Sequence, residues 1–348
     1  MPPLSSKKLL LRGACLALLL PLLATAQHPS GARVTLAELE QLLGWQRRTI
    51  KPDYIELSDG RNSLRLFPGQ RRSEFNKTAI WLNATIEPAN SEVVQLARDD
   101  VEQVILPLLQ RPPARRRQQV RIMLDAGHGG EDGGAAASFP PLLEKELMLD
   151  LTLRIGRRLT AAGIVVGYTR TNDTARTLSE RTTLAAIWQA DAFVSLHANT
   201  AANREASGCE TYILPLAGYP STSSDSTTAA RERKGNGHNV ANLLLGYQIH
   251  RQLPGAKGRV DRGLRRARFQ VLRDAPCPAA LVEVGFLSNT HEARQLASRW
   301  HREQLARRIA DGILSFAKYI EPPVQVYKSN QPATETLPKE APIKQAPQ

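Results

Sequence analysis

The chain has 348 residues, with 46 Lys+Arg against 33 Asp+Glu, a formal charge of +13. Hydrophobic residues at 42% and charged residues at 23% exclude wholesale disorder, and three cysteines are too few for a disulfide framework. The length suits two domains, one of them large enough to bury a sizeable core.

Residues 1–26 read as a secretory signal. Lys7, Lys8 and Arg12 form the basic region, residues 14–23 the apolar region, and Ala24-Thr25-Ala26 an A-x-A site with cleavage after Ala26. The apolar run contains Pro21 and falls short of the roughly 20 residues that span a bilayer. No later segment is apolar for long enough to cross, so the mature chain is expected to lack a transmembrane anchor and to reside in the periplasm or outside the cell. Losing Lys7, Lys8 and Arg12 takes the charge from +13 to about +10. That charge suits an anionic partner such as cell wall, outer-membrane lipid or nucleic acid, and export argues against nucleic acid.

Residues 31–110 read as a small α+β domain. Thr35 and Glu38 make a capping box, with Val34 and Leu39 as its staple, for a helix that stops at Gly44. Two alternating segments, 54–57 and 63–67, flank Asp59-Gly60 as a hairpin. Ile80-Trp81-Leu82 reads as a further strand, and residues 95–109 carry apolar positions at helical spacing. The pattern resembles the accessory domains that precede copper amine oxidases and some wall hydrolases, which implies binding or spacing. Residues 111–118 (RPPARRRQ) form an extended Pro/Arg linker.

Residues 119–320 read as one α/β domain. Short apolar strands are expected at Val120–Asp125, Ile164–Thr169, Ala192–His197, Glu210–Leu214 and Ala279–Gly285, with helices between them. Leu147, Leu151, Ile155 and Leu159 line one helix, and Thr177 with Glu180 caps another through Trp188. Residues 240–252 and 291–319 supply two more. The alternation implies a largely parallel central sheet with helices on both faces. Residues 218–239 read as a long Ser/Thr/Gly-rich loop, and residues 321–348 as a disordered tail. Cys209 and Cys277 are compatible with a pair or with two buried thiols.

Three segments rich in chemistry lie at predicted strand ends: 124–130 (LDAGHGG), 195–199 (SLHAN) and 282–289 (VEVGFLSN). In an open α/β sheet, strand C-termini form the ligand crevice. His128, His197 and Glu283 therefore gather there, and Glu144 opens the helix after the first strand at the same edge. Two imidazoles and a carboxylate suit a catalytic zinc with one position left for water. Bound metal brings the water pKa toward roughly 7, and a further carboxylate, for which Glu283 is well placed, takes the proton. Glu146 competes with Glu144 as ligand, and Glu131 and Asp132 compete more weakly. His250, His291 and His301 read as surface residues, and His238 as the one spare histidine able to approach the site. Nothing in the chain matches H-E-x-x-H or G-x-S-x-G.

From about Arg121 to Ile320 the chain resembles zinc-dependent N-acetylmuramoyl-L-alanine amidases of the AmiC type, the amidase 3 family. The resemblance is carried, in order and spacing, by LDAGHGGEDGG (124–134), LEKEL (143–147), ERTTLA (180–185), DAFVSLHAN (191–199), GCETYIL (208–214), RGLRRARFQVLR (262–273) and PAALVEVGFLSN (278–289). It implies a mixed, largely parallel sheet of about six strands. It also implies Zn2+ on His128, Glu144 and His197, with Glu283 as the catalytic carboxylate. The implied reaction is hydrolysis of the amide between N-acetylmuramic acid and L-alanine of the peptidoglycan stem peptide, in wall remodelling and daughter-cell separation. Some members are blocked by an inserted helix until an activator protein releases it. Here the matching segment is 218–239, where no helix is evident and Glu232 is the acidic residue near the end. The chain departs from the AmiC type in its first domain, which is not that type's N-terminal β-domain. A catalytically silent wall-binding protein and a zinc peptidase cutting within the stem peptide are the rival readings.

Overall fold

The computed structural model describes residues 31–45, 47–90, 93–110, 112, 119–224, 231–254 and 260–320. The expected leader, the tail, and all of the linker except Pro112 lie outside these residues.

Strand β1 (Arg33–Thr35) leads into helix α1 (Leu36–Leu43). The capping box forms as expected: Glu38 donates its N–H to Thr35 Oγ1 at 3.2 Å, and Thr35 donates its N–H to the Glu38 carboxylate at 2.8 Å. Gly44, at φ 64°, ends the helix. Strands β2 (Arg47–Ile50), β3 (Ile55–Ser58), β4 (Ser63–Leu66), β5 (Arg72–Phe75) and β6 (Thr78–Trp81) form an antiparallel meander, and the Asp59-Gly60 hairpin is its β3–β4 turn. Strands β7 (Glu87–Asn90) and β8 (Val93–Ala97) pair with each other, and β8 pairs with β1. The helix expected over 95–109 thus begins late. Val94 and Leu96 alternate into the core as part of β8, and helical backbone covers Arg98–Asp100, Val101–Ile105 and Leu106–Leu108. Buried Asp100 explains the switch, since its carboxylate accepts the N–H groups of Asn83 and Ala84 at 2.8 and 2.9 Å.

The larger part of the chain carries β9 (Arg121–Ala126), a hairpin of β10 (Ala136–Ser138) and β11 (Pro141–Leu143), β12 (Val165–Tyr168), β13 (Ala192–Asn199), β14 (Cys209–Ile213), β15 (Asp261–Arg266) and β16 (Ala279–Phe286). Six of these form the order β12-β9-β13-β16-β14-β15, parallel throughout except where β14 runs against β16. This is the mixed, largely parallel α/β sheet expected. It does not stop at β15. Leu264 pairs with Ile80 of β6, so the N-terminal meander continues it into one sheet of eleven strands.

Helices α2 (Glu144–Ala161), α4 (Asn239–His250), α5 (Thr290–Ala297) and α6 (Arg299–Ala317) pack through Leu147, Leu151, Ile155, Leu245, Ile309 and Ile313 into the main core. The other face is covered by α3 (Leu178–Ile187) and Gln270–Arg273 over Met123, Phe193, Leu272 and Leu281. Ser298 breaks the expected 291–319 helix in two, and its Oγ caps the second half. Among the described residues, no helix is long and apolar enough to cross a membrane.

One surface expectation fails. His250 is fully buried, with Nδ1 2.9 Å from Thr211 Oγ1 and Nε2 2.8 Å from Asp261 Oδ1. The arginines beside it in sequence suggest solvent, but the helix turns the imidazole inward, onto polar partners on β14 and β15. Cys209 and Cys277 are separate buried thiols, and burial pushes Cys277 up to about 12.

Candidate metal centre

Beneath the crevice lies a buried carboxylate. Asp125, near the end of β9, accepts from Thr169 Oγ1 at 2.6 Å, from Arg181 Nη1 at 2.7 Å and from Ser195 Oγ at 2.7 Å. This ties β9, the end of β12, α3 and β13 together at one depth. Arg181 continues upward, donating to the carbonyls of Ala126 at 2.8 Å and His128 at 3.0 Å. Arg170 donates to the carbonyls of Ala126, Gly127 and Lys145 at 3.0, 2.8 and 2.7 Å. Two buried guanidinium groups thus hold the turn that carries His128. That turn needs holding: His128 sits at φ 60°, a region non-glycine residues seldom occupy. Gly127 is needed for a different reason. A Cβ there would lie 2.5 Å from Cε1 of His197, so the imidazole occupies the space a side chain would fill.

Glu144 is the first residue of α2 and is 3% exposed. Its Oε1 accepts the Ala198 N–H at 3.0 Å, and its Oε2 accepts the Ala135 N–H at 2.8 Å. The same Oε1 lies 3.1 Å from His128 Nε2 and 2.9 Å from His197 Nδ1. Burial works against the charged form, yet the bonds to His128 and His197 outweigh it and hold the carboxyl far below its usual range. The bond to Glu144 likewise raises His128, against a smaller opposing effect of burial.

His128, Glu144 and His197 therefore share one focus: each offers a ligand atom, and these atoms all lie within 4.8 Å of one another. Two imidazole nitrogens and a carboxylate oxygen are a donor set suited to zinc. The rims of both imidazoles remain partly exposed, at 24% and 20% of the side chain, so the focus is open on one side. The competitors lie elsewhere. Glu146 and Glu131 are exposed. Asp132 supports a ligand: its Oδ2 lies 2.8 Å from His128 Nδ1, which leaves Nε2 turned to the focus. Lys145 pins the loop further by donating to Gly130 O and Asp173 Oδ2, both at 2.7 Å.

Glu283 is brought to the same place by strand register. It pairs with His197 across β13–β16 and with Glu210 across β14–β16. Its Oε2 is buried with no hydrogen-bond partner. Burial, reinforced by the charges of Glu144 and Glu210, raises its carboxyl well above the usual range. A carboxyl in that state is suited to exchanging a proton. His238 does not join the site: its Nε2 lies 3.2 Å from the carbonyl of Pro276, ahead of β16 and at the opposite end of the strands. Residues 225–230, in the middle of the segment matched to an inhibitory helix, lie outside the described residues.

Residues 122–315 match the profile of the N-acetylmuramoyl-L-alanine amidase family, amidase 3. The chain belongs to this family. It is 35% identical over 195 residues to the N-acetylmuramoyl-L-alanine amidase LytC of Bacillus subtilis, covering 56% of this chain and 35% of LytC. It is 34% identical over 196 residues to the sporulation-specific N-acetylmuramoyl-L-alanine amidase of the same organism, covering 56% of this chain and 67% of that one. Among solved structures, the catalytic domain of CwlV from Paenibacillus polymyxa is similar at 30% identity with a TM-score of 0.48, over 57% of this chain and 97% of that one. The chain thus spans about a third of LytC's length and two thirds of the sporulation amidase's.

Sequence reasoning missed the supporting residues. Nothing in the local pattern around Arg170 and Arg181 marks them as supports of the His128 turn, since their acceptors are backbone carbonyls more than 40 residues away in sequence for Arg170 at Ala126 and Gly127, and more than 50 for Arg181 at Ala126 and His128. Strand β15 was hidden by the charged composition of Asp261–Arg266. The signal for Asp132 was its position four residues after His128 in a turn.

Proposed function

We propose that this chain is an exported zinc amidase that hydrolyses the amide between N-acetylmuramic acid and L-alanine in peptidoglycan. The observation that carries the reading is the common focus of His128, Glu144 and His197, with Glu283 one strand away in register. Residues 119–320 form the catalytic domain and residues 31–110 the accessory domain. His128, Glu144 and His197 would hold the ion. When bound, zinc supplies Lewis acidity, acidifying a water molecule and polarising the scissile carbonyl. Glu283 accepts the proton of the attacking water at its unpartnered Oε2 and delivers it to the departing nitrogen of L-alanine. Asp132, Arg170 and Arg181 keep His128 aimed, and the Ala135 and Ala198 N–H groups fix the Glu144 carboxylate.

The test is digestion of purified sacculi with zinc content measured in parallel. Free stem peptides beginning with L-alanine are expected. L-alanine left on the sugar would mean cleavage within the peptide, and binding without products would mean a silent wall-binding domain. Full activity of zinc-loaded Glu283→Gln would remove Glu283 from its role.

A further inference from the structure

A second cluster sits beside Glu283 on the same face of the sheet. Glu210, 1% exposed, accepts at Oε1 from Arg262 Nε and, at 3.0 Å, from Arg265 Nη1, while Tyr212 donates its hydroxyl to Oε2. Two guanidinium groups against one carboxylate leave an excess positive charge. It is not consumed by internal bonding. Among the described residues no partner meets the Nη atoms of Arg262, whose side chain is 33% exposed, and Arg265 Nε has none either. Both planes are held by aromatic rings. Arg262 lies 5.0 Å from the centroid of Phe286, and Arg265 lies 5.2 and 5.8 Å from those of Trp81 and Tyr212.

Trp81 belongs to the N-terminal segment. Its Nε1 donates to the Arg262 carbonyl at 3.1 Å, and its own carbonyl accepts from Arg266 Nε at 3.0 Å. Gly263 makes this approach feasible. At φ +94°, it would place a Cβ 3.1 Å from the indole Cδ1 and Nε1. The arginines are thus oriented by two parts of the chain whose strands pair through β6 and β15.

Register gives the spacing. His197, Glu283, Glu210 and the arginines occupy four adjacent strands, β13, β16, β14 and β15. Three interstrand steps amount to roughly 14 Å, a span covered by about four extended peptide residues. In the substrate, the muramic acid carboxyl is tied up in the scissile amide, so negative charge resides in the stem peptide.

We propose that Arg262 and Arg265, held in place by Trp81, form a subsite for a carboxylate of the stem peptide, a few residues beyond the scissile amide. The inference rests on the amidase reading above. The N-terminal segment then helps build the cleft itself.

The experiment compares N-acetylmuramoyl-L-alanyl-γ-D-glutamyl-L-lysine with the same compound bearing carboxamides in place of its free carboxyl groups. Wild type is expected to cut the free acid with kcat/KM about 10- to 100-fold higher, mainly through KM, as for one charge-assisted contact. Arg262→Gln collapses that ratio toward one, Arg262→Lys retains part of it, and Trp81→Ala reduces it while Trp81→Phe largely preserves it. Equal rates on the two compounds in wild type, or an unchanged ratio in Arg262→Gln, would overturn the subsite. Calorimetric binding of the free tripeptide to wild type and Arg262→Gln reads the same contact without turnover. Loss of binding in the variant supports the subsite even if neither compound is cut, whereas absent cleavage by zinc-loaded wild type counts against the amidase reading alone. Thermal melting confirms that each variant is folded.

Discussion

The two polar regions at the crevice are built differently. The His128–Glu144–His197 focus draws its supports from residues 125–198: Asp125, Asp132, Ala135, Arg170, Arg181 and Ala198. The arginine cluster on β15 draws on Trp81, Tyr212, Glu210 and Phe286, from three other strands, β6, β14 and β16. The first is closed by motifs lying at strand ends, and its charges are nearly saturated. The second is assembled by sheet continuation and keeps donors in reserve. A saturated cluster suits a fixed ion or reacting group, whereas an unsaturated one suits an exchangeable anionic ligand.

The comparison breaks most severely at the ligands. His197→Ala, or chelation of wild type, is expected to remove zinc and cut activity at least about 10³-fold, the loss of several kcal/mol of charge stabilisation. Atomic emission of the purified variant checks the metal. Trp81→Ala should leave zinc content at the wild-type level, which separates the two regions.

Next comes Glu283→Gln, with kcat lower by about 10²- to 10⁴-fold and zinc retained. Because the folded carboxyl is raised by burial, wild-type kcat/KM should climb with pH through a limb above the ordinary carboxylate range. Stability has the opposite sign. The metal-free protein loses stability as pH rises from the ordinary glutamate range toward the raised folded value, since the folded state binds the extra proton. Melting of Glu283→Gln across that window should be flatter.

Arg181→Ala removes one side of a buried pair with Asp125 and should cost about 3–5 kcal/mol in chemical denaturation. Arg262→Gln, on the open cluster, should cost under about 1 kcal/mol. Similar losses for both would erase the distinction between closed and open regions. The smallest effect is that of Asp132→Asn, whose side chain is 65% exposed. Zinc affinity is expected to fall about 10- to 100-fold in a chelator competition, with little change in melting.

Much of this was legible in the sequence. Thr35/Glu38 and Thr177/Glu180 cap helices where their spacing says, because the capping box is closed by residues three apart. The apolar runs of β9, β13 and β16 announced buried parallel strands, and glycine, histidine and glutamate at their ends announced the crevice. Strand β15 was not legible, since Asp-Arg-Gly-Leu-Arg-Arg carries no apolar alternation and its charges find partners on other strands. His250 deceived for the same reason in reverse: its neighbours are polar, yet Thr211 and Asp261 receive it inside.

Sequence by itself determined what is local or periodic: the helix caps, the buried strands, and the identity of the residues that meet at their ends. Only the tertiary structure decided which glutamate turns inward, that Asp132 backs His128, that β6 continues the sheet from β15, and that Trp81 holds Arg265. Those outcomes depend on pairings between residues far apart in the chain, and strand spacing and register set them after folding, with no trace in the order of neighbours.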